Sequence, residues 1–477
     1  MDTPASSELP AGHRRTRVLI VTGDPIHTRM AGPAIRVWNM AELLSRECDV
    51  RIVSWKRIER TSELFSLYFV AESDDNSMSV HENWADVIVV QGMSFRIFPS
   101  VRSTDKIVVA DLYDPFQLEQ LEQNKYAELP AWTDEVRKAV SLLNEQLARA
   151  DFFLCASDRQ RDLWLGGLSA FGRLNPLTYS QDPTFRSLID VAPFGLPSTP
   201  PLQTRHAIKG VVAGISEDDR VLLWGGGIYN WFDPVTLVEA LGLLADTHPE
   251  IKLFFLSSTH FNPDVPEMEA IGDTVAASER LGLTGSSVFF NDEWVEYDDR
   301  VNYLMDADLG VSTHILHAET RFSFRTRILD YLWGAKPVVA SDGDAFAEII
   351  RDAGAGRIVP PGDTRALADA ILELLGDHTA YAKAATAAAA LRDSFAWEST
   401  LEPLVAYCRN PRPAVDRNLM RGSGPVAGGS RFERILMMPK GWRRDAALLA
   451  YYFRRGGVSL VREKLSKRRS REARDAQ

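Results

Sequence analysis

The 477-residue chain is poor in cysteine, and its three thiols, Cys48, Cys155 and Cys408, lie far apart. An odd, scattered set excludes a disulfide framework and the usual zinc spacings, which leaves packing thiols as the expectation. No apolar run approaches the ~20 residues needed to span a bilayer. Residues 1–16, with Pro4, Pro10 and the basic cluster His13-Arg14-Arg15, lack the apolar segment of a signal peptide. They read as the disordered tail of a cytoplasmic protein. A strict G-x-G-x-x-G is also missing, so no dinucleotide cofactor is inferred. Nine histidines without ligand spacing offer no metal set.

Apolar residues make up 45% of the chain and charged ones 25%, a soluble globular composition, and the length implies two domains plus tails. The net charge of −11 is unevenly spread. Residues 411–477 hold 17 Lys+Arg against 6 Asp+Glu, which leaves the rest strongly acidic. An acidic body argues against nucleic acid as a partner, and a basic tail suits an anionic surface.

Taken in order, residues 17–197 read as one α/β domain. Strands are expected at Arg17–Thr22, Asp49–Trp55, Val87–Gln91, Ile107–Ala110 and Phe152–Cys155, with a last short strand and turn over Asp190–Pro197. Helices are expected at Ile35–Ser45, with Pro33 near the first turn, at Val136–Ala150, and after an N-cap at Ser157. A weakly structured linker, 198–219, leads to a second α/β domain over 220–410. Its strands are Val221–Trp224, Lys252–Leu256, Val288–Phe290, Leu309–Ser312 and Val338–Ala340. Its helices are Val235–Leu244, Arg300–Met305, Arg327–Trp333, Ala345–Asp352, Arg365–Leu375 and Ala380–Ser394. Two such βα series predict two doubly wound, Rossmann-like domains facing a cleft. In the tail, 411–477, Gly422–Ser430 reads as flexible and Trp442–Phe453 as a short amphipathic helix flanked by cations, suited to a membrane interface.

Loops after parallel strands lie at the carboxyl edge of the sheet, where ligands bind. The densest candidate is His317–Asp342, where Arg325 and Arg327 open a helix whose amino end adds N–H donors suited to an anion. Gly225, Gly226 and Gly227 let backbone approach a phosphate, although a tight packing turn explains them equally well. Glu319 and Asp330 are candidate hydroxyl acceptors, with Asp330 also placed to pair with Arg327 on the same turn. Trp294 is a candidate cover for a base, or a surface anchor. Gly32, Asp111, Tyr113 and Asp114 are expected to face the cleft from the first domain, their carboxylates suited to general-base or hydroxyl-binding roles.

These stretches resemble the retaining glycosyltransferases of the GT-B fold, family four. The resemblance runs over Arg17–Ser394. It rests on M-A-G-P-A-I-R, A-D-F-F-L-C-A-S-D-R-Q, V-A-P-F-G-L-P and, most specifically, R-I-L-D-Y-L-W-G-A-K-P-V-V-A-S. It implies a nucleotide-diphosphate sugar in the C-terminal domain, an acceptor in the N-terminal one, and no metal requirement. It also implies retention by front-face attack, with the donor phosphate taking the acceptor's proton. Gly32 then matches the glycine loop near the phosphates, and Asp330 the second acid of the E-x7-E motif, which holds the ribose. Phe322 stands where the first Glu belongs, so Glu319 is its out-of-register replacement. The usual Arg/Lys pair is absent from Gly227–Asp233, leaving the diphosphate to Arg325 and Arg327. Tyr113-Asp114 replaces the usual His. Such departures resemble a divergent subgroup of cell-envelope loci.

The expectation is therefore a cytoplasmic, metal-independent glycosyltransferase acting on an envelope glycan or lipid-linked acceptor, needing no cofactor beyond its nucleotide-sugar donor. Its basic tail is expected to bring it to the inner face of the cell membrane. Asp114, Tyr113 and Glu319 are the catalytic candidates. A nucleotide-sugar epimerase, a phosphorylase, or an inactive binding protein on the same fold are the alternatives.

Overall fold

The computed structural model describes residues 14–257, 268–422, 435 and 442–474. Of the tails expected to be disordered (1–16) and flexible (Gly422–Ser430), residues 1–13 and 423–430 lie outside the described residues, while Arg14 pairs with Asp86 and Gly422 ends a helix begun at Arg417. The chain divides into two compact units, Met1–Arg417 and Asn418–Gln477.

The first unit contains two parallel sheets. One has seven strands: β1 (Arg17–Thr22), β2 (Asp49–Ser54), β3 (Ser66–Phe69), β4 (Val87–Val90), β5 (Ile107–Asp111), β6 (Phe152–Cys155) and β7 (Ile189–Val191), in the order β3-β2-β1-β4-β5-β6-β7. The other has six: β8 (Arg220–Trp224), β9 (Ile251–Phe255), β10 (Val288–Phe290), β11 (Leu309–Ser312), β12 (Val338–Ser341) and β13 (Gly356–Val359), in the order β10-β9-β8-β11-β12-β13. In both, the first strand in sequence lies inside the sheet, so the order reverses beside it and opens a crevice at the carboxyl ends. The central strands are continuous apolar runs because helices cover both faces. All four residues of β4 (V-I-V-V) are buried, as are those of β11 and β12.

The architecture is the expected one, with local differences. The short strand expected with its turn over Asp190–Pro197 is Ile189–Val191, and beyond it Leu196 pairs with Ala396 by an isolated bridge. The segment 198–219 has no helix or strand, yet it is fastened. Asp306 accepts the N–H groups of Ala207, Ile208 and Lys209 and contacts His206. Helices Trp397–Thr400 and Glu402–Arg409 return to the first sheet, with Trp397 against Phe194 and Tyr407 stacked on Phe152 at 4.4 Å. Asp416 then closes on buried Arg173, and Arg417 on Asp151.

In the second unit, the helix beginning at Trp442 runs to Arg474, well beyond the expected Phe453, because no Pro interrupts that stretch. Trp442, Leu449, Phe453 and Val458 on it are exposed. Among the described residues no helix is long and apolar enough to cross a membrane.

Candidate functional site

A cavity of about 460 Å³ lies between the two sheets' carboxyl edges. Its walls hold every candidate named above except Asp111: Gly32, Tyr113, Asp114, Gly225, Gly226, Gly227, Trp294, Glu319, Arg325, Arg327 and Asp330. The volume lies within the usual range of small-molecule sites.

Two helix amino ends meet there. Helix Gly32–Leu44 starts with Pro33 in its first turn, and helix Thr326–Trp333 starts after Arg325. Neither has a side-chain cap, and neither carries an acidic residue in its first turn. Four other helices of the second domain differ: Asp233, Asp344, Asp363 and Asp377 cap theirs. Such ends direct N–H donors and a positive dipole toward an anion, although in the first helix Pro33 has no N–H and Ala34 gives its own to Asp24, which leaves the Gly32 N–H.

Arg327 is the cation best placed for that anion. It is 8% exposed, its guanidinium lies 4.2 Å from the Trp224 ring centre and 3.9 Å from that of Phe232, and it donates to the Gly227 carbonyl at 2.8 Å. Its Nη1 is buried without a partner, and among the described residues no carboxylate pairs with it. Burial lowers its pKa to about 10, so it stays protonated at neutral pH. The expected Arg327–Asp330 pair does not form. Arg327 turns inward to the glycine loop, and Asp330 instead meets Arg300 at 3.4 Å.

Arg325 is engaged differently from the expectation of a free phosphate cation. It makes a two-pronged, buried ion pair with Glu319, both bonds 2.7 Å, which offsets its charge. Glu319 thereby commits both oxygens to Arg325 rather than standing free for hydroxyls. Behind the pair, Arg325 Nε lies 3.9 Å from Asp344.

The glycine loop is shaped by Tyr331. Its hydroxyl donates to the carbonyls of Leu223 and Val311 and accepts the Gly225 N–H at 2.8 Å, so that N–H is spent on packing. Gly226 adopts φ +86°, open to glycine and strained for other residues. Gly227 supplies the carbonyl that anchors Arg327.

The first domain's wall is acidic. Burial pushes Asp114 up to about 7, with Glu119, which shares a hydrogen bond with it, raised as well. Asp24 rises to about 6 for the same reason, although the Ala34 N–H of the facing helix end donates to it. Tyr113 is raised by burial and by the nearby Asp114, and the Arg36 guanidinium lies 4.8 Å from its ring centre. Asp111, expected to face the cleft, is buried instead in a two-pronged pair with Arg36 and accepts from Gln91. Gln160 ties the walls together, donating to the Tyr113 carbonyl and across the cleft to the Phe322 carbonyl.

Asp24, Glu119, Tyr229 and Arg300 also line the cavity, though none is a site candidate by sequence. Asp24 had a signal, since it follows β1 directly. Glu119 and Arg300 had none, because each is an ordinary charge on a short helix until the fold is known.

Two facing Rossmann-like domains with a shared cavity at their carboxyl edges define the GT-B class. Within it, residues 219–377, a third of the chain, match the family described as Glycosyl transferases group 1. The Anabaena HepE structure in complex with UDP-glucose is similar, with a TM-score of 0.58 at 14% identity over 82% of this chain and 98% of that one. The structure of WaaG, a glycosyltransferase involved in lipopolysaccharide biosynthesis, gives a TM-score of 0.56 at 16% identity over 83% of this chain and 100% of that one. A stretch of 53 residues is 47% identical to the phosphatidyl-myo-inositol mannosyltransferase of Mycobacterium leprae (strain TN). That stretch spans 11% of this chain and only 14% of the relative.

Proposed function

We propose that the protein is a cytoplasmic glycosyltransferase that moves a sugar, with retention, from a nucleotide-diphosphate donor to an envelope glycan or lipid-linked acceptor. The observation that carries this reading is the meeting of two uncapped helix amino ends with Arg327 in one cavity. A diphosphate leaving group needs positive charge in the transition state, and preformed donors in a water-poor site supply it efficiently. Gly32 and Gly226 let backbone reach the phosphates, Arg327 neutralises them, and Arg325, fixed by Glu319, shapes the sugar end. Asp114, protonated up to about pH 7, donates a hydrogen bond to a sugar hydroxyl beside Tyr113. No metal or added cofactor enters this scheme. The UDP-glucose in the HepE complex and the lipopolysaccharide role of WaaG support the substrate classes.

Thermal shift with nucleoside diphosphates and their sugars tests the reading, because a bound ligand raises apparent stability by mass action. Arg327→Ala is expected to remain folded and to lose about 10- to 100-fold in diphosphate affinity, the range for hydrogen bonds to charged groups. Undiminished binding of uridine or thymidine diphosphate to that variant overturns the assignment.

A further inference from the structure

Arg327 and Asp330 line the same cavity, with Leu256, Trp294, Val295 and Tyr297 also in its wall. Asp330 stands three residues beyond Arg327 on one helix and so about 4.5 Å further along its axis. If the diphosphate reading holds, a ribose lies beside the phosphates, and the resemblance gives that ribose to Asp330.

The carboxylate of Asp330 is partly exposed, at 36%, and a carboxylate at a cavity rim has several rotamers open to it. Arg300 restrains it. Arg300 reaches Asp330 Oδ1 with Nε at 3.4 Å while its Nη1 donates to the Tyr297 carbonyl at 2.7 Å. Its guanidinium lies 3.8 Å from the Tyr297 ring centre and 5.2 Å from that of Trp333. A planar cation stacked on two rings and tied to a backbone carbonyl is a rigid post, so the carboxylate that meets it is held too. Tyr297 is itself anchored across the cleft, its N–H donating to the Thr28 carbonyl at 2.9 Å.

We propose that Arg300 is a positioning residue that holds Asp330 in the orientation reading the ribose hydroxyls, and so sets discrimination between ribose and deoxyribose donors. The proposal rests on the diphosphate reading of the cavity. A mispositioned carboxylate loses the hydrogen bond to a hydroxyl while leaving phosphate binding to Arg327 in place. Arg300 is thus expected to govern sugar selectivity more than overall affinity.

Calorimetric titration of the full chain with UDP, GDP and ADP, each beside its 2′-deoxy form, tests this. The wild type is expected to prefer the ribose form by about 10-fold or more, the worth of a hydrogen bond to a charged group. Asp330→Asn and Arg300→Gln are each expected to shrink that preference to about twofold or less. The double variant is expected to add little, because both changes remove one interaction. Arg300→Lys, which keeps the charge but not the fork, is the second variant if Arg300→Gln does not fold, and it too should reduce the preference. A ribose preference unchanged in whichever Arg300 variant folds overturns the proposal while leaving the diphosphate reading intact. A wild type that binds none of the six nucleotides overturns both.

Discussion

Two arginines separated by a single residue take different electrostatic roles because their neighbours differ. Arg325 meets Glu319 and is neutralised; Arg327 meets a carbonyl and two aromatic rings and, among the described residues, no carboxylate. The sequence presents them as equivalent, since nothing in R-x-R says which side chain a buried acid will reach. The opposite wall makes a complementary point. Asp114 and Asp24 sit where burial favours their neutral forms. The folded chain therefore holds those protons more tightly than the unfolded chain does. That contribution to stability is present below about pH 4 and is lost as pH rises toward about 7, where Asp114 ionises. Asp114→Asn removes the titration, so its melting temperature relative to wild type should climb between pH 5 and pH 8. Calorimetric scans across that range check this, and a flat or falling difference counts against a raised Asp114. The loss of ribose selectivity argued for Arg300 belongs at this scale too, as a residue that acts only through its neighbour.

At the scale of elements, one helix carries both packing and site. The buried face of Thr326–Trp333 sends Tyr331 under the glycine loop, where its ring passes β11 at Gly310. A Cβ there would lie 2.1 Å from the Tyr331 ring, whereas at Gly226 it would meet nothing within 4 Å. The two glycines should respond differently. Gly310→Ala must displace a rigid buried ring and is expected to cost about 3 kcal/mol or more, above the usual range for overpacking. Gly226→Ala pays only for its left-handed backbone, about 1–2 kcal/mol. Urea melts of both variants test the ranking, and equal losses would contradict it. Most elements were legible beforehand, because apolar runs such as V-I-V-V and turns such as G-A-K-P state their own structure. Strand Ser66–Phe69 and helices Asp75–Trp84 and Phe116–Gln123 were not, being short and polar or half-exposed. The site was legible as far as positions at strand ends reveal it. Its ion pairs were not, since Arg300 with Asp330 and Arg36 with Asp111 join residues 30 and 75 apart in sequence.

At the scale of the molecule, the two compact units have opposite surface chemistry. The body through Arg417 is acidic, and its end is secured by the buried Arg173–Asp416 pair, by Arg417 on Asp151 and by Tyr407 against Phe152. The C-terminal unit is basic, and its long helix exposes Trp442, Leu449, Phe453 and Val458 beside Arg443, Arg444 and Arg454. Exposed apolar side chains flanked by cations suit the surface of an anionic bilayer, where each Lys or Arg near the lipid contributes about 1 kcal/mol. An acidic body would be repelled by that surface, so the tail is expected to supply the whole attraction. Truncation after Leu419 keeps Asp416 and Arg417, and with them the locks on the body. The shortened chain is therefore expected to keep its melting temperature within a few degrees and its nucleotide binding unchanged. In sedimentation with phosphatidylserine-containing vesicles, the full chain should pellet at low salt and be partly released as salt screens the charge, while the truncated chain stays in the supernatant. Equal partitioning of the two would move membrane attachment away from the tail and onto the body.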